Sequence, residues 1–393
     1  VLRFVPVRNV LLIAFATLAV LWFASPWIAG AADALLNRVH TDAQAPPVPA
    51  ESAGLHARLR VVDLHSDATL WARDLLVRNT RGLVDIPRLR DGNVALQLFS
   101  ATTRHPLFSN YSRTPAHPDV VTLLAIAQRW PMRTWFSPFQ RARFQAGRLH
   151  DATARSGGEL RVVRTSQDLA SLGALRPDYP VVGGVLLLEG MHATGRSLAR
   201  IDSLFADGYR VFGIAHMFDN KVGGSAHGWH QGGLTPFGKR AVARVDSLGG
   251  IVDLAHASRA VIADVLALVS RPPLVSHTGL VSACAGPRNL DDADARAIAA
   301  RGGLIAIGFW EAAVCGRDTA TIARSLRRAR DLVGIEHVAI GSDFDGAVTT
   351  PFDASGMVEL TASLRHEGFS DEEVAAVMGE NAWRFFSTWL PVR

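Results

Sequence analysis

The chain has 393 residues, 48% of them hydrophobic and 20% charged, with a formal net charge of +5. This is a globular composition, and the length admits two average domains or one large barrel. Only Lys221 and Lys239 among the 41 basic residues are lysines, and the arginines form no basic block or helical stripe, which argues against nucleic-acid binding. Two cysteines, Cys284 and Cys315, are too few for a Cys-rich zinc module, and leave either one bridge or two buried thiols.

Asn9 to Ala32 carries no charge, with Arg3 and Arg8 before it and Asp33 as the first acid after it. As a helix it would span the ~30 Å hydrocarbon layer. Positive charge on its N-terminal side predicts that the bulk of the chain lies outside. Residues 1–32 are therefore expected to be an N-terminal transmembrane anchor, with the remainder facing the periplasm or exterior. A cleaved signal segment is the alternative, because Ala29-Gly30-Ala31 offers small residues at a cleavage site. Residues 33–57 include the Pro- and Ala-rich stretch TDAQAPPVPAESAGLHA and read as a linker.

From residue 58 to the end, short apolar runs recur. They are RVVDLHSD (60–67), NVALQLFSA (93–101), VVGGVLLLEG (181–190), YRVFGIAHM (209–217), GGIVDLAHAS (249–258), PPLVSHTG (272–279), GGLIAIGFW (302–310) and HVAIGSDFDG (337–346). Buried parallel strands have this near-continuous Val/Ile/Leu character because helices cover both faces of the sheet. Amphipathic stretches such as 196–206, 236–247, 291–301 and 322–332 lie between them. Eight strand–helix alternations predict a (β/α)8 barrel over 58–393. An open doubly wound sheet is the runner-up, but no Gly-rich phosphate loop follows the first run. Residues 101–180 exceed what one crossover needs and form an insertion. Its aromatic segment QRWPMRTWFSPFQ either covers the barrel mouth or packs outside. Ser370-x-x-Glu373 is a capping box that opens a terminal helix through Trp383 and Phe386.

Several runs end in residues that bind metals or move protons. The first ends in His65 and Asp67, two apart and so on one face of a strand. The others supply Glu189, His216, His256, His277 and Asp343. In a barrel all strand C-termini open on one face, where barrel active sites sit. Nitrogen and oxygen ligands with a shared carboxylate suit two borderline divalent ions, zinc above all. Such a pair makes a strong nucleophile from water at neutral pH, so the pattern reads as metal-assisted hydrolysis of a carbonyl or phosphoryl group. His40, His105, His117 and His366 lie in linkers or loops and read as surface residues.

The motifs VVDLHSD, VDIPRLRDGNVALQLFS (84–100), LLLEGMH (186–192), GGLTPFGKRAVARVDSLGGIVDLAHAS (232–258), PLVSHTGL (273–280), GPRNLDDADARAIAARGGLIAIGF (286–309), HVAIGSDFDG and MGENAWRFF (378–386) make the chain resemble the membrane dipeptidase (renal dipeptidase) family, peptidase family M19. The resemblance covers about 60–390 and is weakest over 101–180. It implies a distorted (β/α)8 barrel with two Zn2+ per chain. His65 and Asp67 match ligands of one ion, His256 and His277 ligands of the other, and Glu189 the bridging carboxylate. His216 matches the histidine that contacts the substrate carbonyl. Arg288 matches the arginine that holds the dipeptide's free carboxylate, and Asp343 the catalytic aspartate, with Asp345 the competing choice. His192 and Asp63 match supporting residues.

The implied activity is hydrolysis of dipeptides, including those with a C-terminal D-residue, by a hydroxide bridging the two metals. Related dizinc amidohydrolase action on N-acyl-D-amino acids or β-lactams is an alternative within enzymes. A catalytically silent, membrane-tethered binding protein is the alternative outside them. The segment IAHMFDNKVGGSAHGWHQGG and Met191 depart from the mammalian pattern and are expected to alter the pocket wall rather than the ligands. The resemblance also points to a Cys284–Cys315 disulfide in an exported protein and to the family habit of forming homodimers.

Overall fold

The computed structural model describes residues 7–40, 47–176 and 179–392, with the side chains of 7–19 and 21 outside that description. Eight strands form the centre: β1 (Val61–Ser66), β2 (Val94–Thr102), β3 (Val182–Glu189), β4 (Tyr209–Gly213), β5 (Ile251–Asp253), β6 (Leu274–Thr278), β7 (Leu304–Ile307) and β8 (Val338–Ile340). Each arises from one of the eight apolar runs. All pair in parallel, β2 with β3 included, and β8 returns to β1 through Ile340 and Asp63, so the barrel is closed. A short strand, Leu160–Val162, pairs with the start of β3 outside the ring.

Every residue of the eight strands is buried. Leu186 and Leu188 pack with the outer helices, whereas Val185 and Leu187 join Val211, Ile251, Leu274 and Leu304 in a second cluster that fills the barrel. Two residues beyond Ile251 and Leu274, on the same inward faces, stand Asp253 and Ser276. The lining thus turns from apolar to polar on the way to the C-terminal rim. The helices that return the chain to the next strand are started by side-chain caps, with Thr235, Ser258, Asp291 and Asp318 accepting backbone N–H groups of the first turn.

The opposite end of the barrel is closed by the C-terminal helix, whose Phe385 and Phe386 belong to the interior cluster. The expected capping box of Ser370 and Glu373 is present. A π-helical turn, Ala376–Glu380, interrupts the helix before Asn381–Trp389. There Gly379 lies so close to β1 that a Cβ would stand 1.7 Å from the Arg60 carbonyl oxygen.

Residues 101–180 divide by role. The loop through His105 and Tyr111 and the helix Val120–Ala127 stand over the C-terminal rim, while Trp130 is buried beneath them with Leu70 and Trp71. The stretch expected to be a free linker is docked on the barrel at several points. Asp33, at the end of the helix Val7–Leu36, is buried against Arg73 (3.2 Å) and Arg81 (3.0 Å). Arg38 and Val39 pair with Thr349 and Thr350, and the helix Ala50–His56 buries Leu55 and His56. Residues 41–46 lie outside the described residues. Among the described residues no helix is long and apolar enough to cross a membrane, and half of the side chains of the expected Asn9–Ala32 span fall outside them.

Candidate metal centre

Loops leaving the C-terminal ends of the strands bring the candidate residues together. His65 is the penultimate residue of β1, and Asp67 caps the short 3-10 turn after it. Glu189 ends β3, and Gly190, at φ +85°, turns the chain away. His277 lies within β6. His256 and Asp343 each follow their strand by three residues and have φ of +61° and +62°. Left-handed backbone is uncommon outside glycine, and such conformations cluster at functional sites.

Four imidazoles converge on one carboxylate oxygen. Glu189 Oε1 lies 3.3 Å from His256 Nε2, 3.5 Å from His216 Nε2, 3.6 Å from His65 Nε2 and 3.7 Å from His277 Nε2. His65 Nε2 also stands 3.9 Å from both Asp67 and Asp343. Thr102 Oγ1, from β2, bridges Asp67 (2.8 Å) and Glu189. Three overlapping groups have ligand atoms close enough to share an ion: His65–Glu189–His277, Glu189–His216–His256 and His65–Asp67–Asp343. They cross the expected sorting, since His277 groups with His65 and His216 with His256. The reason is crowding, because the Nε2 atoms of His256 and His277 are only 3.0 Å apart beside the same oxygen.

The other ring nitrogens are already engaged. Ser276 Oγ donates its one proton to Asp253 (2.7 Å), so it accepts from both His65 Nδ1 (3.2 Å) and His277 Nδ1 (3.0 Å). With Nδ1 carrying the proton, Nε2 is the free ligand atom on each. His65 Nε2 is buried without a hydrogen-bond partner. An orphaned imidazole nitrogen among carboxylates and other imidazoles fits a divalent cation, and the donor set suits zinc.

The carboxylates of the cluster favour positive charge at its centre, which here falls on His65. Burial alone would lower His65, but Asp67, Glu189 and Asp343 outweigh it and raise its pKa to about 10. Burial, reinforced by the Arg288 and His65 charges, holds His256 and His277 well below the ordinary histidine value. Burial with Asp67 and Glu189 nearby raises Asp343 well above the carboxylate range, against the opposing pull of His65 and Arg288.

The structure separates the two aspartates of the β8 loop. Asp343 faces the cluster. Asp345 points away, accepting from the Leu83 (2.7 Å) and Val84 (3.2 Å) amides and pairing with buried Arg73 (2.7 Å). Asp63 accepts from Ser342 N and Oγ, both at 2.7 Å, and from Gln97, and so fixes the start of the Asp343 loop. His192 contacts Thr103 Oγ1 (2.8 Å) rather than a ligand of the cluster. Arg288 is buried, lies 5.0 Å over the Trp310 ring, and donates to the His277 carbonyl (3.1 Å). Its loop is tied to the one after β7 by a Cys284–Cys315 disulfide.

Two sequence readings need correction. His105 is half-buried rather than free on the surface: it stacks edge-on against His216 (5.3 Å) at the cavity wall, and burial lowers its pKa to about 4. The divergent 214–233 segment reaches beyond the pocket wall to an expected ligand, because His227 Nε2 lies 3.1 Å from His256 Nδ1. His227, Asp253, Ser276 and Thr102 were not singled out from sequence. The signal in reach was that Asp253 and Ser276 occupy strand positions that helix-covered strands otherwise fill with apolar residues.

Above the cluster opens a cavity of about 550 Å³, with Asp67, Glu189, His256, His277, Arg288 and Asp343 at its floor and Leu36, Leu70, Trp71, Leu107 and Leu124 on its walls. Leu36 comes from the N-terminal helix. This is a (β/α)8 barrel with a candidate metal centre at its C-terminal rim. The family model for membrane dipeptidases (peptidase family M19) matches residues 50–389, and the chain belongs to that family. It is 25% identical over 382 residues to the dipeptidase ataJ of Aspergillus terreus, covering 88% of each chain. To the dipeptidase verJ of Clonostachys rogersoniana it is 29% identical over 243 residues, 60% of this chain and 62% of that protein, so the match spans less than two thirds of that relative. A metallopeptidase of Rhodobacter sphaeroides, solved with a phosphinate mimic of L-Ala-D-Ala, shares the fold at a TM-score of 0.68 and 23% identity, over 84% of this chain and 99% of that one.

Proposed function

We propose that this protein is a two-zinc dipeptidase that accepts dipeptides with a C-terminal D-residue, held at the outer face of a membrane by its N-terminal segment. The carrying observation is the convergence of four imidazole Nε2 atoms on Glu189 Oε1, beside Asp343 and Arg288, in an M19-family barrel. His65, Asp67 and Glu189 would hold one ion and Glu189, His256 and His277 the other. When bound, such ions polarise the scissile carbonyl and bring the pKa of water down to about 7.

The chain's own groups do the rest. Arg288, braced by Trp310 and the His277 carbonyl, presents its guanidinium to the substrate's free carboxylate and limits substrates to short peptides. Asp343, whose carboxylate faces the cluster 3.9 Å from His65, takes a proton from the attacking water and passes it to the leaving amine. His216 is placed to steady the carbonyl oxygen as negative charge develops. Its Nδ1 lies 3.2 Å from the Arg104 carbonyl and donates to it, so Nε2 donates to substrate only as the imidazolium. The L-Ala-D-Ala mimic bound by the Rhodobacter relative supports acceptance of a D-residue.

The test is a substrate panel on zinc-loaded protein: L-Ala-D-Ala, L-Ala-L-Ala, N-acetyl-D-alanine and a β-lactam. Turnover of both dipeptides is expected. Turnover of the acyl amino acid or the β-lactam with neither dipeptide cleaved would replace this reading by the amidohydrolase one.

A further inference from the structure

His227 lies outside the expected ligand set, yet it is fully buried behind His256. Its Nδ1 stands 3.0 Å from the Tyr111 backbone carbonyl, and its Nε2 stands 3.1 Å from His256 Nδ1. A carbonyl can only accept, so a neutral His227 carries its proton on Nδ1 and offers a lone pair at Nε2. His256 must then donate from Nδ1, and its own Nε2 is left unprotonated, facing Glu189. Backbone contacts hold the relay in register. Thr114 N donates to His227 O (2.7 Å) and Ala226 N to His256 O (2.8 Å).

We infer that His227 is a positioning residue that fixes the ring and tautomer of His256 for metal binding, and that through it the Tyr111–Thr114 mouth loop is hydrogen-bonded to the metal centre. This rests on the metal-centre reading above. It assigns His256 a different orienting partner from His65 and His277, which share Ser276. His227 has the geometry of an outer hydrogen-bond partner, whose loss characteristically costs 10- to 100-fold in metal affinity. The order of parts is also informative. Tyr111 belongs to the least family-like stretch of the chain and His227 to the segment that departs from the mammalian pattern. Through these contacts the mouth loop cannot shift without moving the acceptor that sets the His256 ring.

The test is zinc titration of the full chain against a competing chromophoric chelator. Wild-type protein is expected to take up two ions. His227→Phe keeps a ring but no hydrogen bond and should weaken one of the two ions roughly 10- to 100-fold. His227→Gln, whose amide oxygen can accept from His256 Nδ1, should recover most of that loss. Wild-type affinity for both ions in His227→Phe would overturn the inference while leaving the dipeptidase reading intact. Wild-type protein without zinc uptake would instead overturn the dipeptidase reading. A second measurement needs neither variant nor metal: long-range 15N–1H NMR of the histidine rings in chelator-treated wild-type protein. It should show His227 and His256 both protonated at Nδ1, and a proton on His227 Nε2 would overturn the inference.

Discussion

Asp343 and Asp345 stand two residues apart in one loop, and the structure assigns them opposite duties that paired variants can separate. Asp345 is fully buried, accepts two backbone amides, and pairs at 2.7 Å with Arg73, whose side chain is 1% exposed. Removing one partner of a buried ion pair costs about 3–5 kcal/mol, because the other charge stays behind. Asp33 also contacts Arg73, at 3.2 Å, and remains in the variant. Asp345→Asn should therefore fall near the lower end, about 3 kcal/mol, which for a chain of this size lowers Tm by roughly 4 °C. Among the described residues the Asp343 carboxylate accepts no hydrogen bond, and its charged neighbour His65 is 3.9 Å away. Asp343→Asn should leave Tm nearly unchanged. If Asp343 moves the proton as proposed, the substitution should lower kcat by roughly 10²–10⁴. The assay is L-Ala-D-Ala turnover per folded, zinc-loaded molecule, with Tm from thermal melts of the same samples. An inactive but fully stable Asp345→Asn, or an active Asp343→Asn, would refute the assignment.

Three further outcomes follow from the same contacts. Arg288→Ala would remove the proposed charge-assisted contact to the substrate carboxylate and should lower kcat/KM roughly 10- to 100-fold, mostly through KM; a KM equal to wild type would count against it. Cys284→Ser opens a loop with a sequence separation of 31 and should cost roughly 3–4 kcal/mol in urea unfolding, with KM rising because the Arg288 loop loses its tie; unchanged stability would contradict this. Burial lowers the His56 pKa, so the unfolded chain takes up a proton that the native ring refuses as pH falls below about 6.5. Stability should fall from pH 7.5 to 5.5, and less steeply in His56→Gln; parallel slopes would remove His56 as a contributor.

Much of this architecture is legible in the sequence for a physical reason. Strands covered on both faces need unbroken apolar runs, so all eight stand out, and polar residues such as Glu189 and His256 mark where those runs reach the rim. The orienting partners were harder to read. His227 meets His256 only because the 225–227 segment folds back against the loop after β5, and nothing in its spacing records that contact. Asp343 and Asp345 are interchangeable by residue type, and their physical separation comes from Arg73 and the Leu83 and Val84 amides, which draw Asp345 away from the cluster. Composition ahead of the barrel gives no sign of the helix Ala50–His56 or of the ion pairs of one buried aspartate, Asp33.

The central claim is that His65, Asp67, Glu189, His256 and His277 hold two catalytic divalent ions. Its most direct test is metal content per chain, measured alongside L-Ala-D-Ala turnover as a chelator strips the protein and zinc is restored. The account predicts two ions per active chain, with turnover lost and regained together with them. Turnover that persists after the metal is gone would contradict it.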